Sequence, residues 1–481
     1  MSTRKTSFVL RTCHEDMSSS KGFVWPGLYE VAQAPDWDPN PRCGGGLHGW
    51  LYGHGNYEID HAEYRPLAPS AKWVVVEVET NQIVDLNGKC KFPRGMVCFV
   101  GSKGDATDYL ILREPRASND AVIGAQLVKG DEGDAKVGAL GVAVAGIRGE
   151  ATSGDYGVSI AGADGIASAG REGSATAGER GEAKTGDFGT AAAGGRGKAF
   201  AGRAGMASVR YDGVATAGEL GLAIAGNNST VNAGNAGTAV AGSSGKASVG
   251  EQGTATTGSY GRSKAGVGGT AIAGDKGIAM AGHGGTAVSG HDGTATTGMD
   301  GIATARESGQ AFAGASSTAI AGSDGLANAG DRSIAITRDG GKANVGEQGI
   351  AIAGHSATAG NSGIAIADTE ARSGTKGIAI TGGGRCMVGA FGTALTRSGK
   401  AEAGANGLAV TVTGGIASVG DNGTASVGVG GAASAGNHGA ILIRYEDQEN
   451  RVRTKVGYIG EEGLEPNTLY TLDDNHRFIK V

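Results

Sequence analysis

Proline is scarce in this chain, at 9 of 481 residues, and aromatic residues make up only 5%. So little proline excludes a collagen triple helix, which needs abundant Pro and strict Gly-X-Y spacing. Long apolar runs are missing too. No segment is long enough to span a bilayer as a helix, and the opening MSTRKTSFVLRTCHEDMSSS has no apolar stretch of signal-peptide length. These two absences lead to the expectation of a cytoplasmic protein with no membrane partner; release by lysis or leaderless export would leave no mark in the sequence. Positive charge is not in excess either. The net charge is -6 and no basic stripe is visible, so nucleic acid, whose phosphates demand a Lys/Arg surplus, is not an expected partner. Hydrophobic residues still make up 39%, too many for a chain that stays unfolded through charge. The five cysteines, Cys13, Cys43, Cys90, Cys98 and Cys386, are odd in number, and four lie in the N-terminal quarter. Free thiols suit that pattern better than a disulfide framework.

Glycine, by contrast, is abundant. The chain has 92, far above the usual share of roughly 7%. Composition divides the chain into three zones. Residues 1–116 hold Trp25, Trp37, Trp50 and Trp73 and most of the proline. Their KWVVVEVE and MVCFVG runs predict a small mixed or mainly β domain. Residues 117–438 are rich in Gly and Ala and repetitive. Residues 439–481 return to ordinary composition, with short strand-like runs such as AILIRY and RFIKV, and predict a β cap over an exposed strand edge.

The middle zone repeats every eight residues. Gly141, Gly149, Gly157, Gly165, Gly173 and Gly181 keep this interval, and the unit reads G-x-A-x-A-G-x-x, as in GTAVAGSS from Gly237. Serine stands in for the first glycine at Ser229, Ser317 and Ser333. The x-A-x-A segment alternates as a strand does. The G-x-x-G that follows predicts a sharp corner, with glycine supplying the positive φ. One octad cannot close a coil, and the variable positions show that two do. Stepping by sixteen from Gly141 gives Val142/Val144, Val158/Ile160, Ser174/Thr176, Thr190/Ala192 and onward to Ile350/Ile352, all uncharged. The alternate octads give Glu150/Thr152, Glu182/Lys184, Lys198/Phe200, Lys246/Ser248 and Arg262/Lys264. Unpaired charges cannot sit in a dry core, so these positions face outward and the alanines face inward. The fold class follows: all-β, a solenoid of about twenty 16-residue coils. At about 4.8 Å per coil it predicts a rod of roughly 90–100 Å.

The octad and its doubling resemble the repeats of bacterial ice-nucleation proteins, whose unit looks like A-G-x-G-S-T-x-T. The nearest stretches are TGSYGRSK from Thr257 and AGSSGKAS from Ala241. The resemblance implies a β-solenoid and, as a possible activity, an ice-binding surface. The outward Thr-x-Thr pair of that family occurs only at Thr254/Thr256 and Thr294/Thr296, and its tyrosine ladder is missing, since Tyr156, Tyr211 and Tyr260 are scattered. The layout is also similar to bacterial and phage-associated Gly/Ala-repeat proteins. The nonapeptide of calcium-binding repeats needs an Asp that the octads lack.

Few residues suggest chemistry. RCGGGLHGWLYGHGNYEIDH brings together Cys43, His48, His54 and His61, which are metal-ligand types at spacings that match no zinc pattern; a tight structural loop is the favoured reading. Cys13 and His14 are adjacent and would point to opposite faces of a strand. The run Cys43-Gly44-Gly45-Gly46 lacks the Lys-Ser/Thr of a phosphate cradle. No catalytic residue, metal or cofactor is therefore assigned. The expected function is structural: a rigid rod that self-associates or docks a protein partner. A ligand-binding or enzymatic head in residues 1–116 and an ice-binding surface are the alternatives. The expected contact is the apolar patch Ile334, Ile336, Ile350, Ile352, Ile364, Ile366, Ile378 and Ile380, which suits a two-fold homodimer unless the C-terminal cap folds back over it. Beside it, ATAGNS (357–362) and ARSGTK (371–376) appear as octads cut to six residues on the polar side.

Overall fold

A computed structural model describes residues 5–19, 22–57 and 68–481. The chain is all-β, with a small N-terminal sheet domain and a β-solenoid of about twenty turns of about sixteen residues. It divides into two compact units, Met1–Gly237 and Thr238–Val481.

The first unit opens with a seven-stranded antiparallel sheet. Its strand order is Val31–Gln33, Arg94–Gly101, Lys72–Glu79, Thr6–Cys13, Leu47–Leu51, Cys90–Phe92, Val84–Asp85. Val9, Val74, Val76, Val78, Val97 and Phe92 form its core with Trp25 and Leu47. Lys103–Arg113 is an α-helix that the composition did not suggest. Ser102 starts it by accepting the Asp105 N–H at 3.3 Å, an N-cap that satisfies a donor the helix itself leaves free. Beyond the helix the chain enters the solenoid. Ile123 N donates to Gly53 O (2.9 Å), Gly124 N donates to Ala139 O (2.8 Å), and the Lys103 ammonium donates to Leu140 O. The domain is thereby tied to the first coils.

Each coil contributes one strand to each of two parallel sheets. Val142–Ala145 pairs with Val158–Ala161 in one sheet, and Glu150–Thr152 pairs with Ile166–Ser168 in the other. Partners are sixteen residues apart, so two octads make one turn. Inward positions are alanine, such as Ala143 and Ala145 or Ala239 and Ala241, and they are buried. The variable positions are part-exposed or exposed, as expected.

The corners differ from the expectation. In the regular four-residue corners positive φ does not fall on the framing glycines, although Gly399 (113°) and Gly415 (81°), each just before a strand, do adopt it. In the regular corners it falls on the third corner residue, whatever its type: Arg148 (57°), Tyr156 (59°), Phe188 (59°), Leu220 (57°) and Phe391 (59°). The framing glycines serve close approach instead. A Cβ on Gly162 would lie 2.7 Å from the Gly146 carbonyl carbon of the previous coil, and one on Gly165 2.8 Å from Gly149 O. Glycine is fixed there because coils stack backbone on backbone. The corners are laddered as well, with Arg148 N donating to Ala163 O (2.9 Å) and Gly162 N to Gly146 O (3.0 Å). Aspartate at the second corner position reinforces the stack: Asp155 accepts the Arg171 N–H at 2.7 Å, Asp331 the Glu347 N–H at 2.8 Å and Asp421 the Asn437 N–H at 2.7 Å.

In the second unit the coil length changes. Ile350 pairs with Ile364 and Ile364 with Ile378, fourteen residues apart; Ile378 pairs with Thr393 and Thr393 with Leu408, fifteen apart; Leu408 and Thr424 restore sixteen. The polar-side strands are intact, contrary to the reading of shortened units: Ser356–Ala359 and Glu370–Ser373 each keep four residues. One corner absorbs the loss. Only Gly354-His355 and Asp368-Thr369 join their flanking strands, whereas the opposite corners Gly360–Gly363 and Gly374–Gly377 stay at four residues. The unit ends in two hairpins. Ala440–Glu446 and Val452–Tyr458 extend one sheet, and Tyr470–Leu472 and Phe478–Lys480 extend the other. Ile441, Ile443 and Tyr470 close the thin alanine core with larger buried side chains.

Candidate functional site

The two sheets present different outer faces. In the first unit the sheet containing Val142–Ala145 carries Val142/Val144, Val158/Ile160, Ser174/Thr176, Thr190/Ala192, Met206/Ser208 and Leu222/Ile224 outward; none is charged. The other sheet carries Glu150, Glu182, Lys184 and Lys198 at equivalent positions. In the second unit the uncharged sheet runs from Thr238/Val240 to Ala440/Leu442, while the charged sheet holds Lys246, Arg262, Lys264, Lys342, Glu370, Arg372, Arg385, Lys400 and Glu402. Some of these charges pair along the face, as in Arg385–Glu402 (2.8 Å). Such exposed pairs add little stability. Because both sheets have the same backbone geometry, folding alone does not require one of them to be uncharged.

Within the second unit the uncharged face has two stretches. Thr238, Thr254, Thr270 and Thr286 form a rank on successive strands, with Val240, Thr256, Ile272 and Val288 beside it. The rank continues through Ile302 to Thr318. Only Thr254 in this rank belongs to a Thr-x-Thr pair, so the rank is single-file and is not visible from such pairs. Further along, Ile334, Ile350, Ile364 and Ile378 pair in register, as do Ile336, Ile352, Ile366 and Ile380. The structure thus brings all eight candidate residues into two adjacent ladders. Ile334 and Ile378 are each 39% exposed and Ile352 is 37% exposed.

The N-terminal candidates do not converge on a reactive centre. His61 lies outside the described residues. Among those described, no group of three or more His, Cys, Asp or Glu is placed to hold a metal. His48 is half-buried, and its pKa is pushed down to about 4, first by burial and then by nearby Arg11 and Lys89. Its Nε2 accepts the Gly44 N–H at 3.4 Å. His54 Nε2 lies 2.8 Å from Ala117 O, beside the entry to the solenoid. The glycine run is held by a cation: the fully buried Lys91 donates to Arg42 O (2.7 Å) and Gly44 O (3.0 Å). Carbonyls, not amides, thus point toward Lys91 here, the reverse of a phosphate cradle. Burial raises the Cys13 thiol to about 11, which is the opposite of an activated nucleophile.

Comparison with known proteins agrees with the solenoid. A stretch of 110 residues is 36% identical to an ice nucleation protein of Xanthomonas campestris pv. translucens, covering 22% of this chain and 6% of that protein. Another of 104 residues is 35% identical to one of Pseudomonas fluorescens, covering 21% and 8%. A third of 107 residues is 32% identical to ice nucleation protein InaU of Pantoea ananas, covering 21% and 10%. The chain is similar to ice nucleation proteins. Its matches span at most a tenth of these relatives' own length. Residues 7–110 match a family described as Domain of unknown function (DUF7666). No solved structure matches. The 16-residue coils fit ice-nucleation-like repeats, and the solenoid and these likenesses together fit a structural repeat protein.

The cytoplasmic expectation is corrected by these relatives. Ice nucleation proteins are surface proteins anchored at the outer membrane, which conflicts with it. The expectation rested on missing apolar runs. No described helix is long and apolar enough to cross a membrane, but that observation does not assign a compartment.

Proposed function

We propose that the protein is a non-enzymatic scaffold whose working surface is the uncharged outer face of the solenoid. One observation carries this reading. On every coil the outward positions of one sheet are free of charge, while the matching positions of the other accept Lys, Arg and Glu. Within each unit such an uncharged face is larger than the scattered apolar residues of an ordinary surface. Matched charge substitutions test it: Thr270→Lys and Ile350→Lys on the uncharged sheet, Ser248→Lys and Asn344→Lys on the charged one. All four variants keep their β circular dichroism. The uncharged-sheet variants alone change solution mass or droplet-freezing temperature. Equal behaviour of the two sets would overturn the reading.

A second reading, contact with ice, is favoured by the relatives' names and by the threonine rank. Methyl and hydroxyl groups repeat there at the strand spacing of about 4.8 Å. In this reading Thr270→Lys lowers the temperature at which droplets freeze, and Asn344→Lys does not.

A further inference from the structure

We infer that the isoleucine ladders of the uncharged face are the contact between two copies of this chain. The inference rests on the proposed working face and names its occupant. Ile334, Ile350, Ile364 and Ile378 form one rank, and Ile336, Ile352, Ile366 and Ile380 the other, on four successive strands. The same coils of the charged sheet carry Lys342/Asn344, Ser356/Thr358, Glu370/Arg372 and Arg385/Met387. Cross-strand aliphatic packing is therefore not needed to hold these coils together. The cap does not cover the ladders. Its hairpins lengthen the two sheets at their end, and the ladders stay partly exposed among the described residues. The shortened corners point the same way. Residues are lost at Gly354-His355 and Asp368-Thr369, and the isoleucines nevertheless remain in register.

Pitch and area select the partner. A rank that repeats one side chain at the strand spacing of about 4.8 Å is matched at every level only by a surface with the same repeat. Another copy of the ladder has that repeat, and a two-fold axis brings the same patch onto itself. The uncharged positions continue on both sides, from Thr318/Ile320 to Leu408/Val410. Seven such strands present fourteen uncharged outward side chains side by side, the kind of extended patch from which a specific interface of about 600 Å² per partner is built. Two such faces would pack about 10 Å apart, like the sheets of a sandwich.

The test is the mass of the full chain in solution by light scattering. The wild type should have twice the 47.5 kDa of one chain. Ile350→Lys with Ile364→Lys should halve that mass, with β circular dichroism retained. The control pair Asn344→Lys with Thr358→Lys, on the opposite sheet, should stay dimeric. A wild-type mass of one chain overturns the inference, as does an isoleucine variant that stays dimeric. If the lysine pair unfolds the coils, Ile352→Cys in a Cys43→Ser background replaces it. A short bis-maleimide should then link two chains through position 352, and failure to link overturns the inference. A monomeric wild type in which Thr270→Lys still shifts droplet freezing would refute the dimer and leave the working face standing.

Discussion

The N-terminal sheet domain and the solenoid solve the problem of a core in opposite ways. The domain buries large side chains without period: Phe92, Leu10, Trp73 and Leu110 are all at most 2% exposed. The solenoid buries alanine, and glycine where coils meet backbone to backbone. Apolar area per residue is small in such a stack. Its order comes from hydrogen-bond ladders that continue around the corners and from neighbour stacking. The domain should therefore be sensitive to losing volume, and the solenoid to gaining it. All four tryptophans lie in the domain, so fluorescence follows its unfolding while far-ultraviolet circular dichroism follows mostly the solenoid.

The largest expected effect is in the domain. Phe92→Ala should cost about 3–5 kcal/mol, moving the fluorescence transition and leaving most of the circular-dichroism transition in place. A coincident shift of both would mean that the two regions unfold as one. Next comes Ala239→Leu, which forces volume between stacked coils at about 1–3 kcal/mol or more. It should move the dichroism midpoint with little change in fluorescence, whereas exposed Lys246→Leu should stay within about 0.5 kcal/mol. Equal costs for these two would break the inward-outward assignment. The smallest effect is at a corner. Leu220 holds φ 57° and is 57% exposed, so Leu220→Gly should relieve left-handed strain and stabilise by about 0.5–1 kcal/mol. Destabilisation would mean that the Leu220 side chain packs in a way that outweighs the strain.

Much of this was legible in the sequence, because a repeat states its own period. The spacing of Gly141, Gly149 and Gly157, and the charges confined to alternate octads, were enough to read two octads per coil and the direction of each side chain. The corners were harder. The sequence shows that glycine frames each turn, but not whether φ or close approach demands it; the coil below decides that, through contacts sixteen residues away. The shortened coils were misplaced for a related reason. Counting residues finds a missing pair, while only strand pairing shows that a corner lost it. The helix Lys103–Arg113 sits between a strand and the repeat with little apolar periodicity, although Ser102 and Asp105 have the spacing of a helix start. The expected Ile patch was readable as pairs, and its pairing in register needed the structure.

The central claim is that two sheets of the same coils do different work, one held free for contact and one left to solvent. Cysteine labelling tests it most directly. Cys13, Cys90, Cys98 and Cys386 are buried, and burial raises each of these thiols, so they should react slowly. In a Cys43→Ser background, Ile352→Cys and Asn344→Cys place one thiol on each sheet of neighbouring strands. Labelling rates are then followed as protein concentration rises. The account predicts that the thiol at position 352 becomes progressively protected while the one at 344 keeps its rate. Equal rates at every concentration would contradict it.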